Sequence, residues 1–406
     1  MNKYQKLIDF IKKIQMKNFI NLLAREFRLF FNNTTILLVF FLAPVIYALF
    51  IGLTYQYGKV EKVPVLVSDE DRTPASAQLV EMLKDNHTIQ VINNDIAPQS
   101  IKDEIIKKDA AAMIIIPENF EAQMMQGKYP EVNIYINTSN LLTANYATKA
   151  VQVVMGTYSA GAEMKALQKR GMSSEIAKTK YEPFKANYIT LFNTTSNYLV
   201  FMWPAMMAVV LQQVILLAMA LSFATEFNRS SFMEILDKTN SLILVFVKAI
   251  PVFLFSNINI LVFYIFSKWL KIPVPTDFGG FILNSELFIL ASVFLSILVS
   301  IVVPNALKAT QILMVIASPA FIMSGYTWPS YSMPKIINAL TSIVPLTPYL
   351  QAMKISLVEQ GQYYLTQPYT IHLLILSSVF FIMCWLMLII KKKLLLKKWK
   401  HQKVTE

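Results

Sequence analysis

A charged loop, 225–240, separates two long apolar runs and reads TEFNRSSFMEILDKTN. Ser231 and Glu234 have the spacing of a capping box, in which each side chain accepts a hydrogen bond from the other residue's backbone N–H, so a short helix is predicted to start there. This helix would expose Phe232 and Leu236 next to charged side chains. That combination suits docking into a groove of a partner protein. A solvated connector is the alternative interpretation.

The sequence contains no motif for nucleotide binding or hydrolysis. Gly127-Lys128 is followed by Tyr129 and has no glycine five residues upstream, so the phosphate-binding pattern G-x-x-x-x-G-K-[ST] is not met. Serine-hydrolase, zinc-protease and kinase signatures are also missing. The single Cys384 and three scattered histidines predict neither a disulfide nor a metal site. The chain is therefore not expected to be an enzyme, and any ATPase that drives it must be another chain.

The composition predicts several membrane spans to position these residues. Hydrophobic residues make up 55% of the 406, and the mean hydropathy is +0.47. The apolar runs fall near 34–54, 198–223, 241–267, 286–303, 306–325 and 369–390. A membrane-embedded enzyme is disfavoured because no titratable residues converge at one membrane face.

The positive charge of the chain is concentrated at its two ends. Residues 1–31 carry seven Lys and Arg, and the tail 391–406 carries seven Lys, whereas 55–197 has 15 basic and 16 acidic side chains. The positive-inside rule therefore predicts that both termini are cytoplasmic and that the middle block is translocated. Six spans agree with this orientation. Nucleic-acid binding, the rival interpretation of a basic chain, is disfavoured because the excess charge flanks membrane spans and does not form one stripe.

The region 1–33 is predicted to hold an amphipathic helix in the cytoplasmic interface. From 15 to 33, Phe and Leu residues recur on one helical stripe, with basic residues elsewhere on the wheel. The candidate functional residues of this interfacial helix are its charged residues Arg25, Glu26 and Arg28. A plain juxtamembrane helix is the alternative.

Polar side chains interrupt three of the spans. They are Gln212 and Gln213 in the second span, Asn257 and Asn259 in the third, and Gln311 in the fifth. Amides in hydrocarbon are costly and usually face the helix bundle. They are explained either by interhelical hydrogen bonds or by the lining of a substrate path.

The region 55–197 alternates strand and helix patterns. Strands are predicted at Val63–Val67, Ala110–Ile116 and Val132–Ile136, and a long helical run follows at 141–170. This order predicts a small extracytoplasmic α/β domain with a helical stalk.

The segment 326–350 is rich in helix-breaking residues and follows the fifth span. Proline removes a backbone donor, and irregular backbone at membrane depth survives only where protein or a wet cavity covers it. A re-entrant hairpin is therefore predicted, an element that usually marks a transport path or its gate. Its candidate residues are Gly325, Trp328, Pro329, Pro334 and Pro345. Trp328 either touches substrate or anchors the hairpin at the membrane interface.

Several segments together resemble the permease subunits of type-2 ATP-binding-cassette exporters, in the bacterial multidrug-efflux-like branch with a large periplasmic domain. They are Pro64–Val80, Ala110–Phe120 with Met125–Pro130, Glu226–Leu236, and Ser324–Pro329 with Met333–Pro334 and Pro345-Leu-Thr. Glu226–Leu236 is similar to the coupling helix that docks on the ATPase subunit of such exporters. The resemblance implies a role in ATPase coupling for six residues of this segment: Glu226, Arg229, Ser231, Phe232, Glu234 and Leu236. Ser230-Ser231 replaces the usual Gly-Thr, and Val247-Lys248 replaces Gly-Lys.

The resemblance implies a polytopic α-helical membrane protein with six spans, a re-entrant hairpin and an inserted α/β extracytoplasmic domain. Five spans would occupy 198–390, with the coupling helix at 224–240. It implies a bacterial inner-membrane exporter of a hydrophobic or amphiphilic substrate. Two copies of a cytoplasmic ATPase would bind ATP and Mg, and this chain would bind no cofactor.

The resemblance also implies a second permease subunit, identical or paralogous, and membrane lipid as a partner. It allows for a periplasmic membrane-fusion protein and an outer-membrane channel. The alternative function is that of a non-transporting receptor or scaffold whose extracytoplasmic domain binds a partner.

Overall fold

The computed structural model describes residues 18–93, 101–181, 189–227 and 229–405. The chain forms two compact units. One is assembled from both ends of the chain, up to Gly58 and from Thr190 onward, and the other is the insertion Lys59–Ile189.

Six helices in the described ranges are long and apolar enough to cross a membrane, which confirms the predicted number of spans. The helices of these spans are Thr34–Thr54, Tyr198–Ala224, Ser241–Trp269, Phe278–Val302, Ala306–Met323 and Tyr363–Thr405. The fourth span begins at Phe278, earlier than predicted, because Asp277 caps it by accepting a hydrogen bond from the Gly280 amide at 3.0 Å. The sixth helix continues without a break to Thr405, so the basic tail is helical.

The third span compensates for a proline in the first span. An α-helical residue donates its backbone N–H to the carbonyl four positions earlier, but Pro44 has no N–H and cannot donate to the carbonyl of Phe40. Phe40 also lies in a π-helical turn, Leu38–Leu42. Asn259 of the third span donates its amide N–H to that Phe40 carbonyl at 3.1 Å. This bond holds the first and third spans together at a point where the proline cannot supply a donor.

Serine hydroxyls connect the fourth span to the second. Ser296 donates to the Leu216 carbonyl at 2.9 Å, and the Ser300 hydroxyl accepts from the Phe223 and Ala224 amides at 2.9 and 3.0 Å. The small side chains let the helices approach closely. The second span is thereby fixed along its length up to the residue where the charged loop begins.

The insertion Lys59–Ile189 contains a four-stranded sheet. The strands are β1 (Val63–Asp69), β2 (Ile89–Asn93), β3 (Ala112–Ile116) and β4 (Asn133–Ile136). The order is β2-β1-β3-β4, with β1 parallel to β2 and β3 and with β4 antiparallel to β3. The helices are Pro74–Lys84, Ile101–Lys107, Phe120–Met125, Leu141–Lys169 and Ser174–Tyr181. Strands β1 and β3 are buried on both faces, as a sheet covered by helices requires.

Candidate functional site

A closed ring of four ion pairs lies at the end of the bundle where the second span finishes and the third begins. Arg25 contacts Glu26 at 2.6 Å and Glu226 at 2.5 Å. Lys248 contacts Glu26 at 3.2 Å and Glu226 at 2.6 Å. Each carboxylate therefore bridges the same two cations, and the ring is neutral. We call these four residues the ion ring, and this end of the bundle the basic end.

Three elements that are remote in sequence supply the ion ring. Residues 18–31 form the amphipathic helix, which carries Arg25 and Glu26 on its protein-facing side, while Arg28 is exposed. Glu226 follows the last turn of the second span, and Lys248 lies in the second turn of the third. A displacement of the amphipathic helix must therefore either move both spans or break ion pairs.

The ring is largely removed from solvent. Glu226 is 2% exposed and Lys248 is 4% exposed. The Lys248 ammonium also donates to the Ser222 carbonyl at 2.8 Å, so its three hydrogens each have an acceptor. Burial alone would raise the pKa of Glu226, but Lys248 and Arg25 outweigh it and hold this pKa below its ordinary value. Glu226 is thus ionised at neutral pH.

The apolar side of the short helix Ser230–Lys238 lies beneath the ring. The Phe232 ring is 5.4 Å from the Lys248 ammonium and 5.7 Å from the Arg25 guanidinium, within range of cation–π attraction. The same ring packs in an aromatic cluster with Phe223 and Phe227. The short helix is therefore coupled to the ion ring through its aromatic side chain.

The prediction that the short helix exposes its apolar side was wrong. Phe232 and Leu236 are fully buried, because they cover the aromatic residues at the end of the second span. The side that remains open is polar, and its exposed residues include Ser231, Glu234 and Lys238. Any partner that docks on this helix meets charges and hydroxyls rather than a hydrophobic face.

The predicted capping box was also wrong. The N-cap lies two residues before Ser231, at Arg229, and has no side-chain cap. Its C-terminal end is capped from outside: Lys392 of the sixth span donates to the Thr239 carbonyl at 2.7 Å and the Asp237 carbonyl at 3.3 Å. Arg229 is exposed beside the open side of the helix.

A cavity of about 520 Å³ adjoins the ion ring. Its walls come from the amphipathic helix, the start of the first span, the end of the second and the start of the third, and include Glu26, Asn33, Thr225, Arg229 and Lys248.

At the opposite end of the bundle the segment after the fifth span forms a short 3₁₀ turn and two short helices, Lys335–Ser342 and Leu346–Met353, and its re-entry into the membrane stays a prediction. We call this end the hairpin end. Pro334 and Pro345 immediately precede these helices, where a missing N–H costs nothing, and Pro329 precedes the turn. Pro345 is buried, whereas Pro334 is exposed.

A neutral hydrogen-bond network holds the hairpin to the second span. Gly325 turns the chain with φ +82, and a Cβ there would lie 3.1 Å from the Gln351 amide nitrogen. Tyr326, which the sequence analysis did not single out, is buried and donates its hydroxyl to the Phe201 carbonyl at 2.5 Å. Its ring stacks on that of Phe201 at 4.9 Å. Trp328 is 57% exposed, which leaves its role as anchor or substrate contact a prediction.

The predicted path-lining amides do not come together. Gln212 is buried, and its amide atoms have no hydrogen-bond partner among the described residues, while Gln213 is half-buried. Asn259 serves the interhelical bond described above, and Asn257 bonds Glu286 of the fourth span at 3.3 Å. Their role in a path stays a prediction.

Gln311 belongs to an exposed stripe of the fifth span. With a spacing of three or four residues, this stripe also contains Val315, Ser318 and Ile322. An amide in the middle of a lipid-facing surface is costly. The stripe is therefore suited to protein or to water rather than to lipid alone.

Lys248 was not predicted to be a functional residue, although it stands in the Val247-Lys248 pair that replaces the usual Gly-Lys. A lysine eight residues into an apolar run, following a glutamate that ends the previous run, is a detectable signal for a buried pair. Nothing local in the sequence shows that Arg25 reaches the same glutamate, 201 positions away.

Apolar helices of membrane length, joined at one end by buried ion pairs, define a polytopic α-helical membrane protein. Residues 34–391 match the family model described as ABC-2 family transporter protein. Because this match covers most of the chain, the protein belongs to the ABC-2 family of transporter permeases. The family provides the membrane subunit of transporters and is not itself a catalytic ATPase, so a partner ATPase subunit is implied.

The curated relatives of this chain are also permeases, although their sequence identity to it is low. The chain is 19% identical over 300 residues to the probable multidrug ABC transporter permease YbhR of Escherichia coli (strain K12), covering 73% of this chain and 78% of the relative. It is 23% identical over 297 residues to the probable multidrug ABC transporter permease YbhS of the same strain, covering 70% and 75%. A shorter match, 26% over 117 residues, covers 29% of this chain and 30% of the linearmycin resistance permease protein LnrN of Bacillus subtilis (strain 168).

Proposed function

We propose that this chain is the membrane subunit of an ATP-driven exporter that moves a hydrophobic or amphiphilic compound out of the cytoplasm or the inner membrane. The observation that carries the proposal is the ion ring. It joins the amphipathic helix, the second span and the third span, and Phe232 adds the short helix. Movement of the short helix by an ATPase would therefore be transmitted into the spans.

The exposed side of the short helix is the proposed ATPase-docking surface. It replaces the apolar docking surface predicted from the sequence. Arg229, Ser231 and Glu234 offer a guanidinium, a hydroxyl and a carboxylate to a polar groove. Because the helix is packed from below by Phe232 and Leu236, a force on its outer side reaches the bundle without first deforming the helix.

The charge distribution supports the orientation. The basic end would be cytoplasmic, with both termini there, and the insertion Lys59–Ile189 would be extracytoplasmic. The hairpin would then lie near the outer mouth of the path, where Gly325 and Tyr326 hold it to the second span. We infer the bacterial inner membrane from the multidrug permease relatives.

The exposed stripe of the fifth span supports a second permease subunit, identical or paralogous. Gln311 and Ser318 would face that subunit or a water-filled path between the two copies. ATP and Mg would be held by two ATPase subunits. A membrane-fusion protein and an outer-membrane channel remain further candidates for the insertion.

The ATPase-docking surface is tested by charge reversal. We expect Glu234→Arg, combined with Arg229→Glu, to abolish co-purification of the ATPase subunit and substrate-stimulated ATP hydrolysis in the purified complex. The matched control is Lys335→Glu, which reverses an exposed charge at the hairpin end. Unchanged assembly and hydrolysis in the double variant would overturn the assignment of this surface.

The alternative function, that of a receptor or scaffold, is distinguished from export by whether the activity requires ATP hydrolysis. An exporter loses efflux of its substrate when the ATPase subunit carries an inactivating substitution, whereas a scaffold keeps its function. Retained activity with an inactive ATPase would favour the scaffold.

A further inference from the structure

Glu286 is an acidic side chain inside the fourth span. It lies eight residues after Phe278, about 12 Å along the helix at 1.5 Å per residue, and thus within a hydrocarbon core of about 30 Å. It is half-buried, and among the described residues no Lys, Arg or His forms an ion pair with it. An ionised carboxylate at such a depth is costly unless a cation accompanies it, and acids placed there usually have a functional role.

Asn257 of the third span orients the carboxyl group. Its amide donates to the Phe253 carbonyl at 3.1 Å and to Glu286 Oε2 at 3.3 Å. In the described structure Oε1 of Glu286 has no hydrogen-bond partner. The carboxyl group is therefore held on one side and left open on the other.

The surroundings of this pair are membrane-facing and apolar. On the third span, Leu254, Ile258 and Leu261 are 48%, 44% and 57% exposed, and Leu283 of the fourth span is 43% exposed. A ligand of the open oxygen must therefore arrive through lipid and carry apolar groups of its own.

The ligand set argues against a small inorganic cation. Glu286 and Asn257 supply three side-chain oxygens, whereas ions such as Ca²⁺ and Mg²⁺ take six or more oxygen ligands. An organic cation with a shielded charge needs only one carboxylate and an apolar environment.

We propose that Glu286 and Asn257 bind the positively charged head of a lipophilic organic cation that reaches the protein from the membrane. This inference rests on the proposed export function, since it names the substrate class. The carboxylate neutralises the cation, the Asn257 amide fixes the carboxylate, and the exposed leucines and isoleucine contact the apolar groups.

Equilibrium binding of tetraphenylphosphonium tests the site without ATP or the ATPase. The full chain is placed in nanodiscs of zwitterionic lipid, so that the lipid adds no net charge. We expect the wild type to bind and Glu286→Gln to bind at least about tenfold more weakly, a factor that corresponds to 1.4 kcal/mol. Glu359→Gln is the matched control, since that carboxylate pairs with Lys354 at 3.5 Å outside the spans. Thermal unfolding of each variant checks that the fold is retained.

The outcomes separate this inference from the proposed function. Equal affinities of wild type and Glu286→Gln, or no binding by the wild type, overturn the cation site. ATP-driven efflux of tetraphenylphosphonium and of a neutral lipophilic dye by the reconstituted complex is measured in parallel. Glu286-dependent binding without any efflux would support the cation site and overturn the export function. Efflux without Glu286-dependent binding would support the export function and overturn the cation site.

Discussion

The two ends of the helix bundle are fastened to the second span by different chemistry. At the basic end, four charged side chains form a closed neutral ring in which Glu226 and Lys248 are buried and Arg25 and Glu26 are partly exposed. At the hairpin end, the Tyr326 hydroxyl donates a neutral hydrogen bond to the Phe201 carbonyl of the second span, and the Gln351 amide donates one to the Ser324 carbonyl at the end of the fifth span. Loss of one charge leaves an uncompensated ion in a dry site, whereas loss of a neutral hydrogen bond leaves a carbonyl unpaired.

The difference fits two tasks. A ring of ion pairs is stable only as a whole, so it transmits displacement between the elements that contribute to it. Neutral bonds around a glycine turn can be broken and re-formed at smaller cost, which suits a gate. Changes at the basic end should therefore affect both stability and coupling, and changes at the hairpin end should affect gating more than assembly.

The largest effect is expected from Lys248→Ala. It leaves Glu26 and Glu226 with Arg25 as the one remaining cation of the ring, and breaking a buried ion pair costs about 3–5 kcal/mol. Thermal unfolding of the purified protein and ATPase coupling should both fall. Lys335→Ala, which removes an exposed lysine at the hairpin end, is the control. A loss no larger than that of the control would contradict the ring's structural importance.

Acid should weaken the basic end selectively. The folded pKa of Glu226 lies below its unfolded value of 4.5, so its stabilisation is complete above about pH 4.5 and is lost as pH falls through the folded pKa. Glu226→Gln should therefore be less stable than wild type at pH 7. The difference in unfolding temperature between the two should shrink as pH falls below 4.5. A difference that stays constant with pH would show that the charge of Glu226 is not what stabilises the ring.

Gly325→Ala should act at the hairpin end. A φ of +82 is strained for a residue with a Cβ, which costs about 1–2 kcal/mol, and the added methyl group would crowd Gln351. We expect slower substrate efflux with unchanged co-purification of the ATPase. Gly161→Ala, in the insertion where a Cβ would meet no neighbour within 4 Å, provides the control. Loss of ATPase assembly in Gly325→Ala would mean that the two ends are not separable.

Sequence reasoning predicted features that depend on local composition. Runs of about 20 apolar residues specify a membrane helix, so the number of spans was predictable. Prolines mark helix starts, so the breaks before Lys335 and Leu346 were predictable too. The early start of the fourth span was not, because Glu286 lowers the apolar character of its first half.

The ion ring could not be predicted from the sequence because it depends on tertiary structure. Arg25 and Lys248 reach Glu226 only because the amphipathic helix and the third span pack against the end of the second. The same packing decided which side of the short helix is open. Its amphipathic pattern is compatible with an apolar side that faces a partner or one that faces its own chain. The aromatic residues at the end of the second span, which Phe232 covers, decide for the latter.

Tyr326→Phe should have the smallest effect and is the sharpest test of the comparison. It removes the hydroxyl that donates to the Phe201 carbonyl but keeps the ring that stacks on Phe201, so about 1 kcal/mol is lost. Assembly and overall stability should change little, while efflux should change through the position of the hairpin. Tyr331→Phe, at an exposed tyrosine of the same hairpin, controls for the loss of a hydroxyl. If Tyr326→Phe destabilises the protein as much as Lys248→Ala, the hairpin end is a structural clamp like the basic end, and a gate must be sought elsewhere.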